Sequence, residues 1–444
     1  MSDASLSDAT PVFGPQVRST WAWDPHADVR VMARERWLLP FLPAHAGAAP
    51  RVFPGGSSPV FAADDDTVFI VTAGYTGTAL VPPSLLHAVD ADGTARWTSE
   101  LPGTRPLAML VTDAGDVLVV GNEYFADGTA SAWLQRVSPS GELRWRRGLV
   151  ADPADPAASF GVRVLPALDW DGNVYVVVGN TVSSLDVAGA TRWTGLLTTE
   201  ASFGCREGGS ADPFVLDDTL WLVGSCGVYS FSLDGEPRVR RSTPAEPPRP
   251  PIYYGATPTP SGHVIAGRDG GVDLLDAQGD VAHALDDVLL QIDGELLTTG
   301  DDAFIAVASG GVTVFDTAGP RWVAFLASSR GPLLDERGHL ALLQLDQNLD
   351  VFDIADGALV AAYDTGRGGT SSLGVVLRPG QLVTPARLTP LGVAAGTSPP
   401  IAALHCVEVD LGLPAPSAWS RVDGGQRHQR RARSSPPTGR RPPP

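Results

Sequence analysis

The chain contains no lysine: all 32 basic residues among its 444 positions are arginine. Schiff-base chemistry and phosphate-binding loops both rest on a lysine amine, so two large enzyme classes are excluded, the N-terminal amine aside. Cysteine is nearly as scarce, with three residues and no adjacent pair, too few for a disulfide-built scaffold. The eight histidines, at 26, 45, 87, 263, 283, 339, 405 and 428, never fall at the short spacing of a zinc site. There is no G-x-S-x-G elbow and no apolar run of eighteen residues, so neither a hydrolase nucleophile turn nor a membrane-spanning helix is expected.

Positive charge is missing from the body as well. Residues 421–444 hold seven Arg and one Asp, leaving 25 Arg against 49 acidic residues upstream, a balance of −24. Such a field repels phosphate backbones, so no nucleic-acid partner is expected for the body. Met1 to Gly14 (MSDASLSDATPVFG) lacks the basic start and apolar core of a signal peptide. Its Ser/Asp/Ala run reads as a flexible linker of the kind that follows an export signal. The compartment stays open: a periplasmic, cell-surface or secreted setting follows if Met1 is not the natural start.

What the chain has in abundance is one recurring phrase, in which an apolar pair precedes Asp, a Gly turn follows, and Trp comes three or four residues later. It reads AVDADGTARW ending at Trp97, RVSPSGELRW at Trp145, SLDVAGATRW at Trp193 and VFDTAGPRW at Trp322. Copies without the Trp lie at Phe231–Val239, Leu274–Ala282 and Phe352–Val360, and a stretched one ends at Trp419. The mean step from Trp97 to Trp419 is 46 residues, the period of propeller blades. Residues 168–193 read as strand, tight turn, strand, loop, strand, tight turn, strand, with one run (Asn173–Val178) apolar on both faces. The expected fold is all-β, a single eight-bladed β-propeller (seven blades being the alternative) of four-stranded antiparallel blades. It spans 17–420, between a flexible segment at 1–16 and a disordered Arg/Pro-rich tail at 421–444. The Trp series (Trp97, Trp145, Trp193, Trp322, Trp419) is read as structural docking.

The phrase resembles the tryptophan-docking motif of pyrroloquinoline-quinone-like (PQQ-like) propeller repeats, a group that includes quinoprotein dehydrogenases and a propeller lipoprotein of outer-membrane barrel assembly. The dehydrogenase form carries one more residue between Asp and Gly, plus a vicinal Cys pair and a calcium site, and neither addition is found here. The resemblance therefore implies the generic, non-enzymatic branch, with no cofactor and no metal. Asp90-Ala-Asp92-Gly93 and Asp169-Trp-Asp171-Gly172 look like calcium loops but lack the twelfth-position Glu, and hairpin turns account for them.

Connections on one face read as tight Asp/Gly/Asn turns, whereas those on the other read as long loops starting near Gly74, Gly121, Ala151, Thr198 and Ser242. The second face carries Tyr75, Tyr124, Phe125, Phe160, Phe203, Tyr253 and Tyr254, the candidate binding residues, and places Cys205 within topological reach of Cys226 for a disulfide. The leading expectation is a monomeric, non-catalytic scaffold that binds a protein or polymer there. The alternative is a quinone-dependent or polysaccharide-acting enzyme with its site at the central channel. At the N-terminus, 26–46 reads as a short helix stopped at Pro40, and Val17–Trp23 as the outer strand that closes the ring.

Overall fold

The computed structural model describes residues 26–413, apart from 42–48, 53–59, 63–65, 77–78, 102–104, 125–129, 150–165, 179–180, 198–210, 225–226, 243–252, 269, 287–294, 300, 302, 309–310, 327–328, 345–347, 366–367, 370–374 and 389–400, together with 431–432. Eight separate sheets follow one another along the chain, here blades 1 to 8. The count is eight, not seven. Blade 3 shows the plan: Ala167–Leu168, Val174–Val178, Thr181–Leu185 and Thr191–Leu196 pair antiparallel in that order from the axis outward.

Burial along each blade follows from its place between two others. Every residue of Val174–Val178 is buried, because both faces of that strand meet a neighbouring blade. The outer strand Thr191–Leu196 is largely exposed. The core accordingly lies between blades. One cluster joins Leu118, Val120 and Leu134 of blade 2 to Leu168, Val174 and Val176 of blade 3, and the next joins Tyr175 and Val177 to Leu220 and Leu222 of blade 4. Most first strands of successive blades touch around the axis, Val375–Arg378 of blade 8 and Val60–Ala62 of blade 1 among them, so these strands form the inner ring.

Ring closure differs from the sequence expectation. Blade 8 takes its first three strands from Val375–Arg378, Gln381–Leu388 and Ile401–Glu408, and its outer strand is Arg34–Pro40. The helix read over 26–46 is therefore a strand, preceded by a single 3-10 turn at Ala27–Val29. Locally RERWLL favours a helix; the open edge of Ile401–Glu408 supplies hydrogen bonds and an apolar seat that outweigh that weak preference. Val17–Trp23, the closing strand expected from sequence, lies outside the described residues, as does Trp419.

The repeat phrase proves to work between blades. Trp145 of blade 2 donates its indole N–H to the Val187 carbonyl of blade 3 at 2.9 Å, and its ring covers Gly189 in the same turn. Trp97 sits likewise on Pro139 and Gly141, Trp193 on Leu233 and Gly235, and Trp322 on Ile354 and Gly357. Trp37, carried by the closing strand, docks on Ala91 and Gly93 of blade 1. The degenerate copies mark the remaining seams: Val239 replaces Trp against Gly279, Tyr363 receives the Asp410 N–H on its hydroxyl, and at Gly319 a Cβ would meet nothing within 4 Å. At the seam between blades 5 and 6 this turn glycine is thus left uncovered, while Ile265, Leu296 and Phe304 pack the seam further in.

Two terminal pieces add strands. Val31–Met32 pairs parallel with the outer strand of blade 7, and Arg431–Ala432, within the tail expected to be disordered, pairs parallel with the inner strand Ala211–Leu216 of blade 4.

Candidate functional site

The two faces of the ring are built differently. On one, each first-to-second and third-to-fourth connection spans at most five residues, as at 90–94, 112–116 and 186–190. An Asp, Ser or Thr side chain closes many of these turns, as Thr112 does for the Asp116 N–H. Asp186 Oδ1 accepts the Ala188 and Ala190 N–H groups at 2.9 and 2.8 Å, and Asp276 and Asp335 repeat the arrangement. Asp169 is more fully engaged still. Its oxygens accept from the Asp171 and Asn173 backbone, the Asn173 side chain and the Tyr175 hydroxyl, at 2.7 to 2.9 Å. The calcium-like spelling of that turn is hydrogen-bond geometry. No cluster of three or more His, Cys, Asp or Glu able to hold a metal occurs among the described residues.

Strands on the opposite face end in connections at 150–166, 197–210, 243–252, 287–294 and 389–400. Four of these five lie in succession between blades 2 and 6. Beside them blades 1 and 2 raise long hairpins, Thr67–Thr76 with Ala79–Val89 and Val117–Tyr124 with Ala130–Val137. The stretch from Gly74 is therefore strand rather than loop. Pro82 and Pro83 punctuate it, and a register shift between Thr72 and Gly74 accommodates them.

Among the expected binding residues, Tyr75 lies opposite Leu80 and Tyr124 opposite Ala130 at the tips of those hairpins. Tyr253 and Tyr254 begin the inner strand of blade 5. Tyr253 is buried, and its hydroxyl donates to Asp273 at 2.9 Å; burial and that carboxylate push the phenol well above its ordinary range. Arg268 binds the same carboxylate at 2.8 Å and reaches Asp286 at 2.6 Å, so Tyr253 anchors a buried polar cluster at the rim. Phe125, Phe160, Phe203, Cys205 and Cys226 lie outside the described residues. Cys406 is a buried free thiol, its pKa raised to about 12 by burial.

Sequence reasoning missed the closing seam. Arg36 and Trp37 of the closing strand, Asp66, Asp90 and Asp92 of blade 1, and Arg378 of blade 8 line an open cleft of about 530 Å³ on the tight-turn face. Its charges are paired in place, Arg378 with Asp66 at 2.6 Å and Arg36 with Glu408 at 2.9 Å. Also missed was Arg30, whose guanidinium lies 2.8 Å from the fully buried Asp350 of blade 7. Asp350 is third in its strand, as Asp273 is in blade 5. Arg268 serves Asp273 from within its own blade, whereas blade 7 has Gln344 at the matching position and draws its cation from the N-terminal segment.

No described helix is long and apolar enough to cross a membrane. No protein-family model matches the chain, and no curated protein matches it in sequence. Solved structures do match in shape. BamB from Moraxella catarrhalis aligns with TM-score 0.51 and 17% identity over 85% of this chain and 98% of that one. The C-terminal WD40 domain of Sif2 aligns with TM-score 0.54 and 10% identity over 86% and 99%. Quinohemoprotein alcohol dehydrogenase from Comamonas testosteroni aligns with TM-score 0.56 and 11% identity over 84% and 76%. At such identities the likeness speaks for architecture: the chain is an eight-bladed β-propeller, a shape consistent with PQQ-like repeats and shared by a dehydrogenase and a WD40 domain alike.

Proposed function

We propose that this protein is a monomeric, non-catalytic propeller of the generic PQQ-like kind that binds a protein or polymer partner through its long-connection face. The inequality of the two faces carries this reading. Turns of five residues or fewer, many of them capped by Asp, Ser or Thr and five of them seated under Trp, leave little room for variation on one side. Long connections gathered over contiguous blades, on a rigid ring, are where binding surfaces are built. The body's excess of acidic residues favours a neutral or cationic partner surface.

A photo-reactive phenylalanine analogue placed at Tyr124 or Tyr254, and at Asp92 on the tight-turn face as control, tests the assignment in a lysate of the native host. Discrete adducts are expected from 124 and 254 and none from 92; the reverse distribution sinks the proposal. Tyr253 is unsuited to this experiment because its hydroxyl is committed to Asp273. Dye reduction on adding quinone and calcium would favour the dehydrogenase alternative.

A further inference from the structure

Only one inner strand is paired on its channel side among the described residues. The sheet order of blade 4 runs from its outer strand to Ala211–Leu216 and then to Arg431–Ala432. Val215 lies opposite Arg431 and Leu216 opposite Ala432, in parallel. Because Ala211–Leu216 touches the first strands of blades 3 and 5, its free edge faces the axis. Arg431–Ala432 therefore lie on the channel side of blade 4.

Charge supports the location independently of the backbone pairing. Asp217 and Asp218 follow Leu216 in the turn at the channel mouth, exposed, Asp218 being paired with Arg238 at 3.0 Å, and the matching turn of blade 3 carries exposed Asp171. In sequence the two paired residues sit within the arginine-rich run 430–433, and the body they pair with carries −24.

We propose that the channel-side edge of Ala211–Leu216 is a strand-addition site for an extended arginine-rich segment, and that the resident occupant is this chain's own Arg431–Ala432. Main-chain hydrogen bonds to the open edge give the affinity, and the acidic rim selects the sequence. This inference is independent of the partner proposed for the opposite face. A tethered segment at an effective concentration on the order of 1 mM weakens a competing free peptide about 10-fold once the intrinsic Kd falls to about 0.1 mM.

The test uses the full chain and a labelled synthetic peptide of residues 421–444. Arg431→Pro with Ala432→Pro, in the full chain, removes whichever of the two N–H groups is directed at the edge while leaving every blade intact, which an unchanged melting temperature confirms. The peptide is expected to bind this variant roughly 10-fold or more tightly than the unaltered chain, with affinity falling as salt rises. Amide exchange in Ala211–Leu216 should quicken in the variant and slow again on adding peptide. Equal affinity for the two chains, binding to neither, or equal binding by a peptide carrying the same two prolines would overturn the proposal, the last by exposing mere charge adhesion.

Discussion

Gly189→Ala isolates the contact that joins one blade to the next. Gly189 has φ +79°, and a Cβ there would come within 2.7 Å of the Trp145 ring and 3.0 Å of two further ring atoms. Gly172 offers a control with φ +80° in another turn of blade 3, where the nearest atom to a Cβ is a Val187 methyl at 3.2 Å. Both alanines carry the left-handed backbone penalty of about 1 to 2 kcal/mol. Only at 189 must the indole also move, giving up its hydrogen bond to Val187, about 1 kcal/mol, and part of its buried area, about 1 to 2 kcal/mol more. Gly189→Ala is therefore expected to cost about 3 to 5 kcal/mol against about 1 to 2 for Gly172→Ala. Urea unfolding followed by far-UV circular dichroism reads the difference without relying on the displaced indole, provided the slope stays constant. In a Trp145→Ala background Gly189→Ala should fall to the backbone penalty alone, a coupling of about 2 kcal/mol. A coupling below about 0.5 kcal/mol would refute docking as the link between these blades.

The remaining predictions concern buried polar groups. Asp350→Ala takes from Arg30, whose side chain is 3% exposed, its buried carboxylate and leaves it the Tyr363 carbonyl, and should cost about 3 to 5 kcal/mol in the same assay, whereas Arg30→Met with Asp350→Leu should cost much less; equal losses would show that the pair is incidental. His87 is buried between Thr72 and Thr98 and stacked on Phe41, and desolvation lowers its pKa from 6.5 to about 4. The unfolded chain takes up the proton first, so this contribution is complete above pH 6.5 and fades as pH falls toward 4, by about 2 kcal/mol between pH 6.5 and 5. Titration of carboxylates overlaps that window. The measurement is therefore the difference in urea midpoint between the unaltered chain and His87→Gln at each pH, and a difference that stays flat from pH 7.5 to 5 would contradict the assignment.

The blades were readable because each is local. A strand, an Asp-capped turn and the next strand lie within about 12 residues, so the phrase ending at Trp193 spells its own hairpin. Its energetic partner is less visible. Trp193 touches Gly235, not the Gly189 printed beside it, because an outer strand leans on the following blade. The closing strand was misread for the opposite reason to the blades' success: Arg34 pairs with Glu408, and nothing near RERWLLP in sequence records that edge. Arg30 and Asp350 were invisible on the same grounds. Tyr253, read as a loop aromatic, begins a strand and is buried, its hydroxyl bound to Asp273 in a strand whose charge looks like ordinary surface.

Closure by Arg34–Pro40 also sets an order on biosynthesis. A ribosome adding roughly 5 to 20 residues per second delivers this strand about 20 to 75 s before Ile401–Glu408 exists to receive it. Throughout that interval Leu38 and Leu39 have no seat in blade 8, while the blades between can assemble one upon another. The final edge of an unfinished ring and the idle strand of a second nascent chain are chemically the same pair. Crowded translation should therefore yield strand-exchanged dimers, and the interval before sealing is when a chaperone would matter most.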